Sequence, residues 1–222
     1  MKQLDKFFNW LTGREINQSD VTRLRKETKK APRRQREEGV FEIIIVSDNH
    51  GQTRYLSDMV NYHDEADYYL HCGDSNLDPE SMEMKPFIAV KGNTDYVENY
   101  KLHEHVKLPT GEKIWITHGH REAVGFYPEK IVDLAAEFPL EKMPQIILYG
   151  HLHKVDVRMH RGHLIINPGS ISEPRDGVIK TYAKLIVSKL AYQIEIYHAQ
   201  SHEVIKEFQF LRESPLADLN QE

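Results

Sequence analysis

The run Ile43-Ile44-Ile45-Val46 is apolar and β-branched at every position, the pattern of a strand buried on both faces. It stops abruptly at the polar stretch Ser47 to Gly51, SDNHG, which therefore lies at the strand's C-terminal end. Residues two apart on extended chain share a face, so Asp48 and His50 can aim a carboxylate oxygen and an imidazole nitrogen at one cation. Taken alone, such a pair is more often part of a turn than of a site.

The same pattern recurs along the chain. Tyr68 to Leu70 runs into His71-Cys72-Gly73-Asp74, and Phe87 to Val90 runs into Lys91-Gly92-Asn93-Thr94-Asp95. After a hairpin turn at Gly111-Glu112, Ile114 to Ile116 leads to Thr117-His118-Gly119-His120, and Ile146 to Tyr149 leads to Gly150-His151-Leu152-His153. Between these strands, Tyr55, Met59, Val60 and Tyr62 predict one helix, and Ile131, Val132, Leu134 and Ala135 a second. From Val155 the alternation becomes strand on strand: Val155 to Met159, a turn at Arg161-Gly162, then His163 to Ile166. The loop Asn167 to Ser170 follows, and strands are expected at Thr181 to Val187, Tyr192 to Tyr197 and Val204 to Phe210. No internal repeat is visible.

Five strand ends thus carry Asp48 with His50, Asp74, Asn93, His118, and His151 with His153, and glycines beside them let the backbone turn sharply or approach something compact. Carboxylate, imidazole and amide oxygen together suit Mn²⁺, Fe²⁺ or Zn²⁺ better than Ca²⁺. Seven donors are too many for one cation. With one carboxylate shared they make two four-ligand sites, each with room for water and a substrate oxygen.

In the order Asp-X-His, Gly-Asp, Gly-Asn, His-Gly-His, Gly-His-X-His, the chain resembles the calcineurin-like metallophosphoesterases. With HGH, GHLH and NPGS it is similar to their compact YfcE-type bacterial phosphodiesterases. The resemblance spans about Phe41 to Phe210 and implies an α/β (α+β) fold, a four-layer αββα sandwich of the metallo-dependent phosphatase kind. It also implies that Asp48, His50 and His153 hold one metal, that Asn93, His118 and His151 hold a second, and that Asp74 bridges them. Two divalent ions, Mn²⁺ first and Ni²⁺, Zn²⁺ or Fe²⁺ as alternatives, would then hydrolyse a small phosphodiester by attack of a bridging hydroxide. The catalytic candidates are Asn93 and His120, the latter beyond the metals' immediate ligands and placed to orient a ligand or meet substrate. Many relatives have a histidine after Gly-Asn, thought to protonate the leaving group. Here that place is Thr94, as in YfcE-type members.

Composition bounds the rest. The chain of 222 residues, 40% hydrophobic and 28% charged, is long enough for one sizeable core. Its one cysteine excludes an intramolecular disulfide. No stretch approaches the ~18 apolar residues of a membrane span, and no secretory signal is visible, so the expected location is cytoplasmic. Residues 1–40 hold 11 Lys/Arg and 6 Asp/Glu, net +5, and residues 41–222 hold 18 and 28, net −10. The organisation expected is a basic extension over 1–40, a metallophosphoesterase domain over 41–212 and a polar tail over 213–222. In the extension, Leu4, Phe7, Phe8 and Leu11 fit a short amphipathic helix ending at Gly13, and Ser19 or Asp20 could cap a second ending by Pro32. Lys26 to Glu38 reads as a solvated linker. Docking through Phe7, Phe8 and Trp10, homo-oligomer formation and nucleic-acid binding through the basic run stay open.

Other residues have plainer readings. His63, His71, His103, His105, His160, His163, His198 and His202 are expected to be structural or superficial, and Cys72 a small buried neighbour of Gly73. Asp95 either orients a neighbouring ligand or closes a turn. Arg175, and more weakly Arg54 and Arg121, could reach a phosphate or form surface ion pairs. Competing functions are a phosphomonoesterase or nuclease with the same site, and a scaffold on the same fold with vestigial metal sites, as in retromer-type relatives.

Overall fold

A computed structural model describes residues 38–212. The two expected N-terminal helices, most of the linker, the aromatic docking residues and the polar tail lie outside the described residues. In chain order the elements are β1 (Phe41–Val46), α1 (Arg54–Tyr62), β2 (Tyr68–His71), β3 (Phe87–Ala89), β4 (His103–Lys107), β5 (Lys113–Thr117), α2 (Lys130–Ala136), β6 (Ile146–Leu148), β7 (Val155–His160), β8 (His163–Pro168), β9 (Thr181–Val187), β10 (Ala191–His198) and β11 (Val204–Leu211).

The strands form two sheets, one of six in the order β11-β10-β9-β1-β2-β3 and one of five in the order β4-β5-β6-β8-β7. β1 lies inside the first, parallel to β2 and antiparallel to β9, which is why its four-residue apolar run has no polar face. Alternate residues of β1 go to different layers. Ile43 and Ile45 join Ile114, Ile116, Ile146, Leu148, Leu164 and Ile166 in the core between the sheets. Ile44 and Val46 pack outward against Leu56 and Met59 of α1. On the second sheet, Trp115, Ile147 and Ile165 turn outward onto Ile131, Val132 and Ala135 of α2. The result is four layers, αββα, and each fully buried isoleucine contributes roughly 1.5–3 kcal/mol of apolar burial.

Two details differ from the sequence expectation. α1 buries Leu56 and Met59 with Tyr55 and Val60 packed beside them, whereas Tyr62, the helix's last residue, is exposed and stacks on the His202 ring at 4.4 Å between centroids. β4 has no counterpart in the apolar pattern. Its sequence HEHVK is mostly polar because it is an edge strand paired only with β5, and it closes the hairpin at Gly111-Glu112. Among the described residues, no helix is long and apolar enough to cross a membrane.

Candidate metal centre

The strands carrying the polar motifs run in parallel sets: β1, β2 and β3 in one sheet, β5, β6 and β8 in the other. Their C-terminal ends meet across the sandwich. His118 Nδ1 lies 2.7 Å from the Cys72 carbonyl, and the His151 N–H donates to Asp48 Oδ2 at 3.2 Å. Asp48, His50, Asp74 and His153 each offer one ligand atom within 4.8 Å of the others. Beside them, His118 Nε2 stands 3.1 Å from Asn93 Oδ1 and 3.3 Å from Asp74 Oδ2, and the His151 ring centroid is 5.2 Å from that of His118. Asp74 Oδ2 is also 4.0 Å from His50 Nε2, so one carboxylate oxygen lies between the two groups of ligands.

The hydrogen bonds behind these side chains test whether a cation fits. His50 Nδ1 lies 3.1 Å from Asn76 Oδ1, and His153 Nδ1 lies 2.6 Å from the Glu173 carbonyl. These oxygens, like the Cys72 carbonyl, only accept, so each ring carries its hydrogen on Nδ1 and turns an Nε2 lone pair inward. The lone pairs of His50 and His153 then face one another at 3.3 Å. Asp48 Oδ1, fully buried with no hydrogen-bond partner, lies 3.2 Å from His153 Nε2. Two facing lone pairs beside an unsatisfied carboxylate oxygen call for positive charge, and a divalent cation supplies it.

The electrostatics have the same sense. Burial works against charging His118 and His153, yet the neighbouring carboxylates, Asp74 for the first and Asp48 for the second, outweigh it and raise both pKa values. Burial alone would push Asp74 up, but His118 and the Thr94 N–H bring it well below the usual carboxylate range. His151 and His120 are lowered by burial and by His118.

Several supporting residues were undecided or missed from sequence. The buried Asp95 accepts from the N–H groups of Asp74 (3.0 Å), Gly92 (2.8 Å) and Asn76 (2.7 Å) and from Ser75 Oγ (3.1 Å), so it orients a ligand residue and closes the turn at once. Asn76, missed, holds His50. Only its place in the polar run after Asp74 could have marked it. Ser170 and Ser172 Oγ both donate to the Asp48 carbonyl, which makes the NPGS segment a support for the site. His71, neutral and buried, accepts from the Gly73 N–H and bonds Asn49 Oδ1. The remaining candidates stand further back. His120 lies 5.3 Å from His118, centroid to centroid, with a buried, unpartnered Nδ1. The Arg175 N–H donates to the His153 carbonyl while its side chain is exposed, and Arg54 pairs with Asp58 at 3.8 Å on α1. Burial raises the Cys72 thiol well above its ordinary value, which suits a packing residue and not a nucleophile.

Comparison with known proteins agrees with this geometry. The family model of the calcineurin-like phosphoesterase superfamily domain matches residues 41–189. A probable metallophosphoesterase, YsnB of Bacillus subtilis, is 33% identical over 165 residues, covering 73% of this chain and 94% of the relative. The phosphodiesterase YfcE of Escherichia coli is 32% identical over 106 residues, 44% of this chain and 51% of that protein. Among solved structures, an uncharacterized predicted phosphoesterase of Streptococcus pneumoniae superposes with a TM-score of 0.72 at 30% identity, covering 79% of this chain and 100% of that one. The chain therefore belongs to the calcineurin-like phosphoesterase superfamily, whose divalent-metal chemistry fits the cluster at its strand ends.

Proposed function

We propose that the protein is a dinuclear-metal phosphodiesterase acting on a small phosphodiester, with Mn²⁺ as its resident ion. The observation that carries the reading is the position of Asp74 Oδ2, between His50 on one side and His118 with Asn93 on the other. Asp48, His50 and His153 would hold one ion, Asn93, His118 and His151 the other, and Asp74 both. When bound, the ion pair supplies Lewis acidity toward the phosphoryl oxygens and a lowered pKa for water. The chain's own part is to fix these ligands through Asp95, Asn76, Ser170 and Ser172 and to keep the imidazoles neutral and aimed inward.

On this reading no strong general acid serves the leaving group. Thr94 gives its N–H to Asp74 and its hydroxyl to Asn76 Oδ1. His120, its pKa lowered, is largely neutral near pH 7 and is assigned to orienting substrate. The rate should therefore fall steeply as the leaving group's pKa rises across a series of aryl phosphodiesters. A flat dependence would contradict this assignment. The direct test of function is to strip the protein of metal and reload it with Mn²⁺, Ni²⁺ or Zn²⁺ before assay on diesters and monoesters. Turnover restored by metal, with diesters preferred, is expected. No turnover with any ion, or preference for monoesters, would overturn the reading.

A further inference from the structure

Three aromatic side chains stand out in water on the loops that carry the metal-site residues. Tyr96 is 88% exposed, Phe126 85% and Tyr127 68%, and among the described residues none makes a ring contact or a side-chain hydrogen bond. Large rings cost apolar surface when left in solvent, and the molecule has ample core in which other tyrosines, such as Tyr149 and Tyr182, are fully buried.

Their loops are held close to the site. Tyr96 follows Asn93 by three residues, so its Cα lies within ~11 Å of that residue's Cα, and Asp95 between them is fastened to the Asp74 N–H. The segment after His120 folds back in a similar way. The Val124 N–H donates to the Gly119 carbonyl at 3.3 Å, and Val124 is fully buried against Gly119, between His118 and His120. A Cβ on Gly125 would lie 3.9 Å from Leu152, the residue between His151 and His153. Phe126 and Tyr127 come next, after Ala123 at φ 56°, a left-handed backbone that turns the segment. Exposed rings on segments anchored to the metal-site residues, with no ring contact or side-chain hydrogen bond among the described residues, fit a flat π-face carried by the substrate.

We propose that Tyr96, Phe126 and Tyr127 form a stacking subsite for a nucleobase, and that the substrate class is a small nucleoside phosphodiester. The inference rests on the phosphodiesterase reading and names its substrate. Stacking on aromatic side chains tolerates any base, because every base has a π-face. Residues 41–222 carry net −10, a body that repels a long polyanion, so a mononucleotide-sized compound is favoured over a nucleic-acid strand.

The test uses the full chain loaded with Mn²⁺ and measures the affinity of adenosine 5′-monophosphate and of ribose 5-phosphate by calorimetry. Both probes carry the ribose 5-phosphate moiety, and the base replaces the anomeric hydroxyl in the first. The adenosine compound should bind about 5- to 100-fold more tightly, and the double variant Tyr96→Ala/Phe126→Ala should bring the two affinities together. Phe126→Tyr should keep the preference. Equal affinities in the unaltered protein, or a preference that survives the double variant, would overturn the subsite. A single-stranded dodecamer binding more tightly than the mononucleotide would overturn the restriction to small compounds. Hydrolysis of bis(4-nitrophenyl) phosphate by the same preparation separates the two claims. Hydrolysis without a base preference removes the subsite alone, and a base preference without hydrolysis removes the phosphodiesterase reading alone.

Discussion

Asp95 shows how much of the centre depends on a residue that holds no metal. Both of its carboxylate oxygens are used, one by the Asp74 and Gly92 N–H groups and the other by Asn76 and Ser75. Asp95→Ala should cost about 2–4 kcal/mol of stability by leaving buried N–H groups unpaired, and metal affinity should fall by about 10- to 100-fold. Asp95→Asn should rescue little, since its amide presents hydrogens where an acceptor is needed. Denaturant unfolding and calorimetric metal titration read the two effects separately. A second prediction concerns protons. Burial lowers His71 and His63 to about 4 against an ordinary 6.5. For a base with a depressed pKa the unfolded chain binds the proton first, so this contribution is present above pH 6.5 and lost as pH falls from about 6.5 to about 4. The enclosed His71 forfeits roughly 2 kcal/mol by pH 5, and the more open His63 less because solvent screens it. His118 and His153, raised, act in the opposite sense in metal-free protein, so comparing His71→Gln with the unaltered chain isolates the effect. The variant's stability should change less between pH 7 and pH 5, and an unchanged slope would contradict the neutral assignment of His71.

At the scale of the element, the centre is built from turns in unfavourable backbone. Asp48, His50, Asp74, His151 and His153 all have φ between 45° and 67°, the left-handed region that non-glycine residues rarely enter. Such turns let each strand deliver its side chain into one small space immediately after the last sheet residue. Glycine is required where two of them meet. A Cβ on Gly92 would fall 2.1 Å from Asp74 Oδ1, and one on Gly150 would fall 2.0 Å from Ser47 Oγ. Gly92→Ala should therefore abolish stoichiometric metal binding. Gly111→Ala, at φ 101° but with open space around it, should cost about 1 kcal/mol of stability and leave the metal content unchanged. Metal analysis after dialysis distinguishes the two variants. The strand ends were legible because apolar β-branched runs such as Ile43 to Val46 break sharply into Asp, His and Gly. The supports were not, because the Glu173 and Cys72 carbonyls that orient His153 and His118 are backbone groups and leave no mark in a residue pattern. β4 was illegible for a related reason: HEHVK gains its structure from pairing with β5 and not from an apolar face.

Across the whole molecule, the two sheets are joined at the end remote from the site by an ion pair. Arg212, just after β11, reaches the buried Glu112, just before β5, and its Nη1 donates to the Ser188 carbonyl at 2.5 Å. Arg212→Met should cost about 1–3 kcal/mol, less than a fully enclosed pair because the arginine is partly exposed, and should leave metal affinity unchanged because the site is at the opposite strand ends. The central claim is that seven side chains from five strand ends enclose two cations. Titration of the metal-free protein with Mn²⁺ near pH 7.5, followed by calorimetry, measures this most directly. Two ions bound per chain, falling to one or none in Asp74→Ala, is the predicted result; no binding by the unaltered protein, or two ions still bound by the variant, would contradict it.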